Sequence, residues 1–182
     1  GNHRLVGTTS LQIDLKNSDY GIAYYYLQER INFGVAAYHT ARFVYLSGYF
    51  GSDLYRFRSY GGNVFASYPL NTFHRIEANL SILRVTRENL DFIEVPVEKA
   101  TFIIPSISYV KDNVMWGYTS PIEGSRYNLT LMGNPGFTGS KESFGTLTRD
   151  YRKYFRFFYD NGFAARFSGG YSFGINAQRF FI

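Results

Sequence analysis

From Phe163 to Asn176 the side chains sort by parity. Phe163, Ala165, Phe167, Gly169, Tyr171, Phe173 and Ile175 are mostly aromatic or apolar. Ala164, Arg166, Ser168, Gly170, Ser172, Gly174 and Asn176 are small or polar. A period of two describes a strand with one greasy and one wet face. The split recurs. Ile76, Ala78, Leu80 and Ile82 oppose Arg75, Glu77, Asn79 and Ser81. Phe33, Val35, Ala37, Ala41 and Phe43 oppose Asn32, Gly34, Ala36, Thr40 and Arg42. Tyr127, Leu129 and Leu131 oppose Arg126, Asn128 and Thr130, and Leu11 and Ile13 oppose Thr8, Ser10, Gln12 and Asp14.

This patterning predicts nine strands, at about 5–14, 19–28, 30–46, 54–68, 73–87, 99–112, 124–133, 144–158 and 162–176. Several exceed the usual globular strand of about five or six residues and reach the roughly 9–11 that a tilted strand needs to cross a bilayer. Connections alternate in character. LQER, YPLNT and YDNG are short; GYFGSDL, RENLDFIEVPVEK and GNPGFTGSKES are longer and polar. Short turns on one rim and long loops on the other are the plan of an outer-membrane barrel. KNS, which is short, and VMWGYTSPIE, which is long, break the pattern. No internal domain boundary, low-complexity run or solenoid repeat interrupts the 182 residues.

Alternation alone fits a soluble sandwich as well as a spanning sheet, because only the medium on the apolar side differs. Three features favour lipid. Strand length is one. The second is the polar set, rich in Ser, Thr, Asn and Gly with opposed charges rather than in Lys and Glu. The third is aromatic crowding near strand ends, at Tyr24, Tyr25 and Tyr26, at Tyr45, Tyr49 and Phe50, at Trp116 and Tyr118, and at Phe157, Phe158 and Tyr159; interfacial girdles have this composition. Aromatic residues make up 20% of the chain, and 18 Gly stand against 5 Pro, which suits strands and tight turns. No apolar run reaches the roughly 18 residues of a membrane helix, and no basic-then-apolar leader opens the sequence. It begins GNHRL without Met, so a fragment or mature segment is expected.

The net charge of +5 is spread along the chain and forms no clustered basic stripe, so nucleic acid is not an expected partner. The absence of Cys excludes disulfides and thiolate metal sites. His3, His39 and His74 lack ligand spacing, so no metal or other cofactor is expected. GNPGFTGSK places Ser before Lys and fails the phosphate-loop pattern. No Gly-x-Ser-x-Gly nucleophile motif occurs. The Asn-x-Ser/Thr matches at 79 and 128 fall inside predicted strands, where glycosylation is discounted. No catalytic set emerges, and the chain is not expected to be an enzyme.

The candidate chemistry is electrostatic. Asp150, Arg152, Arg156 and Arg166 share the polar parity of two neighbouring strands, where opposite charges pair across the ladder. They are expected to form a charge network inside a wet lumen, with Arg75 and Glu77 as a further pair. Ile76, Leu80, Ile82, Phe155, Phe157, Phe167, Tyr171 and Phe173 are expected to face lipid. Lys153, and more mildly Arg149, carries charge at apolar parity. Either they lie near a rim, or a bulge inverts the alternation.

The segments SPIEGSRYNLTL, LTRDYRKYFRF and NGFAARFSGGYSFG resemble the BamA-type bacterial surface antigen superfamily, the outer-membrane assembly and translocation barrels. Pro121 to Gly124, Asp150, Arg152, Tyr154, Arg166, Gly170, Ser172 and Gly174 match its Pro-x-x-Gly turn, Asp-x-Arg-x-Tyr and Arg-x-x-x-Gly-x-Ser-x-Gly patterns in order. GGNVFASYPLNTFHRIEANLSIL resembles the mid-barrel hairpin, and KNSDYGIAYYYLQERINFGVAAYH the branch in which a TolB-like propeller precedes the barrel. The resemblance covers nearly the whole chain. It implies that residues 1–182 correspond to strands three to eleven of a sixteen-stranded antiparallel transmembrane β-barrel, an incomplete meander in the bacterial outer membrane. The Val-Arg-Gly-Phe/Tyr motif loop and the seam between first and last strands, tied to substrate insertion in the family, then fall outside it. The implied function is insertion or translocation of other proteins, with outer-membrane lipids and unfolded outer-membrane or secreted proteins as partners.

Three other functions remain open at this point. A passive porin-like channel would conduct steadily. A membrane anchor of a larger multidomain protein would have its chemistry elsewhere. A soluble all-β binding domain would bury Ile76, Leu80 and Ile82 in a core. Nine unclosed strands would also leave two bare edges, so the chain alone is not expected to insert as a stable monomer.

Overall fold

The computed structural model describes residues 2–27, 30–48, 51–92, 94–118, 120–136, 143–157, 161–175 and 177. Strands β1 (His3–Ser10), β2 (Asp19–Tyr26), β3 (Asn32–Gly48), β4 (Gly51–Pro69) and β5 (His74–Asn89) follow one another. Then come β6 (Glu98–Asp112), the two-residue β7 (Met115–Trp116), β8 (Pro121–Asn134), β9 (Phe144–Phe157) and β10 (Asn161–Gly174). They form one antiparallel sheet in the order β1-β2-β3-β4-β5-β6-β8-β9-β10, with β7 beside β8. Every main-path neighbour is also the neighbour in sequence, apart from the step over β7. The chain is all-β and meanders. The sheet is not closed; β1 and β10 are its edges.

All nine expected strands are present, and the short β7 occupies the long VMWGYTSPIE connection. The first strand differs from expectation, because it ends at Ser10 rather than near 14. Asp14 caps a single 3-10 turn, Leu15–Asn17, by accepting a bond from the Lys16 N–H at 3.0 Å. The Ser18 hydroxyl takes the Gln12 N–H at 2.9 Å. These local bonds compete with the ladder and pull Leu11 and Ile13 out of the strand. Both side chains are exposed there.

Pairing register runs without a slip through each long strand pair, so parity is preserved from edge to edge. One cross-strand row reads His3, Tyr26, Phe33, Ala66, Ala78, Ile107, Leu131, Leu147, Tyr171. On the opposite face a row reads Asn32, Ser67, Glu77, Ser108, Thr130, Thr148, Gly170. The period-two sets of the separate strands therefore merge into one apolar and one polar face.

No second layer of described residues covers either face along its length. Ala41, Val110 and Phe144 are the buried hydrophobic residues among those described. A folded monomer of 21.0 kDa exposes roughly 9,000 Å², whereas this chain exposes 13094 Å². Ile76, Leu80 and Ile82, which a soluble core would bury, are exposed. Glycine makes room on the apolar face for a neighbouring ring. The Phe173 ring lies where a Cβ on Gly145 would project.

Candidate functional site

One cluster of charges on the polar face lies near the turn that joins β9 to β10. Register aligns Asp112, Arg126, Arg152 and Arg166 in one row across β6, β8, β9 and β10. Asp150 lies two residues further along β9, opposite Ser168. It accepts two bonds from Arg152, from Nε at 3.1 Å and Nη2 at 3.0 Å, and a third from Arg166 Nη2 at 2.8 Å. One carboxylate thus bridges two guanidiniums on adjacent strands, and the Arg152 fork is bidentate. Arg126 Nε reaches Asp112 at 3.5 Å.

Three of the four residues expected in the network, Asp150, Arg152 and Arg166, come together. Arg156 shares their face but stands nearer the turn, opposite Gly162, and has no ion-pair partner among the described residues. Four residues of extended strand separate it from Arg152, which is too far for a shared carboxylate. Arg75 and Glu77 form a separate pair at 2.5 Å. Arg75 lies in the register row of Asp150 but three strands away, roughly 14 Å at the spacing of neighbouring strands. The Asp112–Arg126 pair was not anticipated. Both residues have polar parity, but their pairing depends on the register of β6 against β8.

The apolar stripe on β5 has definite ends. On β5 the side chains of Ile76, Ala78, Leu80 and Ile82 are bounded by His74 at one end and Arg84 at the other. From His74 to Arg84 the strand rises roughly 34 Å at about 3.4 Å per residue, and a barrel-like tilt of about 40° makes that roughly 26 Å of height. The apolar band of an outer-membrane barrel is about 25 Å tall. Phe155, Phe157, Phe167, Tyr171 and Phe173 share this face and are exposed.

No bulge inverts β9, so Lys153 and Arg149 do point to the apolar side. Arg149 lies over the rings of Tyr127, at 5.5 Å, and Phe167, at 5.7 Å. Stacking of this kind shields a guanidinium among apolar groups. Lys153 Nζ sits 5.5 Å from the Phe155 ring centroid. It lies one row beyond His74, Lys111, Tyr127, Tyr151 and Phe167, toward the turn rim.

Aromatics mark the same rim. Tyr24 and Tyr26 lie on the apolar face and Tyr25 on the polar one. Trp116 and Tyr118 are exposed beside β8. Tyr49, Phe50, Phe158 and Tyr159 lie outside the described residues, as do parts of LQER, YDNG and the GNPGFTGSK loop. Each histidine has a local partner: His3 Nδ1 bonds Tyr24 Oη at 2.7 Å, His39 Nδ1 bonds the Ser18 carbonyl at 2.9 Å, and His74 meets the Tyr109 hydroxyl. Among the described residues no three His, Asp or Glu side chains gather as a metal-binding group.

No family model matches the chain, and no curated protein matches it.

Proposed function

We propose that this chain is a transmembrane segment of an outer-membrane β-barrel whose full form inserts or translocates other proteins. The observation that carries the membrane part is the register. Parity holds across the whole meander, so an exposed apolar face roughly 26 Å high backs directly onto a polar face with internally paired charges. Water on one side and hydrocarbon on the other would satisfy both faces at once. The connections after β2, β4, β6 and β9 then lie on the periplasmic rim and those after β5 and β8 outside; GYFGSDL, expected as a longer outer loop, is instead mostly strand, since β3 runs to Gly48 and β4 starts at Gly51.

The sheet edges need partners in that setting, because hydrocarbon offers none to backbone N–H and C=O groups. Further strands of a longer polypeptide, as in the sixteen-stranded pattern that the sequence resembles, would close the sheet. The assembly or translocation role rests on that resemblance: Asp150, Arg152 and Arg166 stand where its Asp-x-Arg and Arg-x-x-x-Gly patterns fall, and they brace two adjacent strands against each other on the lumen side.

Cell fractionation of the full-length protein tests the location, and heat-modifiable migration in SDS gels tests the barrel. Depletion tests the role. The proposal expects other outer-membrane or secreted proteins to fail in assembly. Normal assembly together with steady single-channel conductance would point instead to a passive channel.

A further inference from the structure

The apolar face is not apolar to its end. Past Ile82, toward the longer loops, successive outward positions turn basic. One register row reads Tyr20, His39, Tyr60, Arg84, Thr101; the next reads Ala41, Arg58, Thr86, Lys99. The 3-10 turn after β1 folds back over this area and adds Lys16. His39 Nδ1 donates to the Ser18 carbonyl at 2.9 Å, and Arg56 Nη1 donates to Asn17 Oδ1 at 3.0 Å.

Between turn and sheet lies a cavity of about 850 Å³ whose lining includes Lys16, Arg58, Arg84 and Lys99. Tyr20 and Tyr60 also line it. Glu88 is the carboxylate ion-paired beside it, 2.7 Å from Arg56 and 3.7 Å from Arg58. Arg84 and Lys99 have no ion-pair partner among the described residues. Among the described residues, Arg58 Nε and Thr86 Oγ1 are buried without a hydrogen-bond partner, and Thr86 is only 3% exposed. Buried donors are rarely left unpaired unless something else meets them.

A second cavity, about 580 Å³, continues from the first across Tyr60 and Arg84 and runs down the apolar face over Val35, Gly62, Val64, Leu80 and Ile82. Gly62 lies between Ala37 and Ile82 in its row, so the floor there is low and smooth. The two spaces form one amphipathic trough with a basic head and an apolar tail.

We infer that this trough binds a phosphate-bearing lipid: the phosphate is held by Arg58, Arg84 and Lys99 with Thr86 as a donor, and an acyl chain lies along Val64, Leu80 and Ile82. Charge and shape both select it. The head presents donors and cations in excess of its one paired carboxylate, and guanidiniums match phosphate geometry. The tail is continuous with the face read above as lipid-facing, and the inference rests on that reading.

The test uses the full-length protein purified in dodecyl maltoside and titrated with bisphosphorylated lipid A, dephosphorylated lipid A or inorganic phosphate, with adducts counted by native mass spectrometry. Bisphosphorylated lipid A is expected to bind at least tenfold more tightly than either comparison. The triple variant Arg58→Gln, Arg84→Gln, Lys99→Gln is expected to erase that preference. Arg84→Gln alone, at an exposed side chain with no ion-pair partner among the described residues, is expected to weaken it severalfold without disturbing heat-modifiable folding. Equal binding of inorganic phosphate would make this a free-anion site and overturn the lipid assignment. Unchanged binding by a folded Arg84→Gln and triple variant would overturn it too, while leaving the barrel reading intact. Recovery of the full-length protein as a soluble species would instead remove the barrel reading itself.

Discussion

Replacing Leu80 by Arg tests the assignment of the two faces most directly. Leu80 projects from the exposed apolar side between Val64 and Pro105 in its register row. It lies roughly 10 Å from the level of Arg84 and roughly 16 Å from that of His74, at about 3.4 Å per residue and a tilt of about 40°. That is near the middle of the band, too deep for an arginine to reach either interface without distortion. A cation on the lipid face at such depth costs about 2–4 kcal/mol. Taking about 3 kcal/mol, the folded-to-unfolded ratio should drop roughly 150-fold. Ser106 supplies the control, since it sits on β6 at nearly the same height but on the polar face, opposite Asn79. Ser106→Arg should change stability by less than about 1 kcal/mol, as a solvated polar-face substitution. Reversible urea unfolding of the full-length protein in phospholipid vesicles, read by tryptophan fluorescence, measures both. A neutral or stabilising Leu80→Arg would mean that water covers this face. A Ser106→Arg more damaging than Leu80→Arg would mean that the faces are inverted. Either outcome refutes the reasoning.

Other perturbations have equally definite outcomes. Asp150→Ala removes the acceptor shared by Arg152 and Arg166 and should destabilise by about 1 kcal/mol, since the pairs are part-exposed; Arg156→Ala, on the same face with no ion-pair partner among the described residues, should change the same unfolding curve little. Gly145→Val collides with the Phe173 ring and should lose about 1–3 kcal/mol through overpacking; adding Phe173→Ala should recover part of that loss in a double-mutant cycle. Glu88, at the loop end beyond the apolar band, is held below the ordinary glutamate value of 4.5 by the hydrogen bond from Arg56, reinforced by Arg58 and Lys16. Its contribution to stability is present above that ordinary value and disappears as pH falls through the lowered one. Unfolding measured from pH 6 downward should show this acid loss in the parent and not in Glu88→Gln.

The strands were readable because alternation is a local consequence of extended backbone: neighbouring side chains must point to opposite faces. The alternation of Leu11 and Ile13 extends the expected first strand past Ser10, where the structure ends it. What ended it was a short-range competition, in which Asp14 and Ser18 bond the backbone that a ladder would need. Among the expected network residues, Asp150, Arg152 and Arg166 met because they belong to consecutive strands joined by a short turn, so their register was nearly implied. Arg156 shares their parity but not their height. Parity alone could not separate it from the others.

The sequence by itself determined the class of the fold and the character of each face, because a period of two needs no distant partner to exist. It also carried the sense in which Phe155, Phe167 and Tyr171 differ from Asp150, Arg152 and Arg166. Only the tertiary structure decided which residues stand side by side. Pairing register brought Asp112 to Arg126, laid Arg149 over Tyr127 and Phe167, and showed that Lys153 keeps apolar parity without a bulge. It also gathered Lys16, Arg58, Arg84 and Lys99 around one cavity, from a turn and three strands scattered along the chain. Each of those cations reads in isolation as an ordinary surface charge. Their proximity arises from cross-strand hydrogen bonding and from the fold-back of one capped turn, neither of which leaves a period in the sequence.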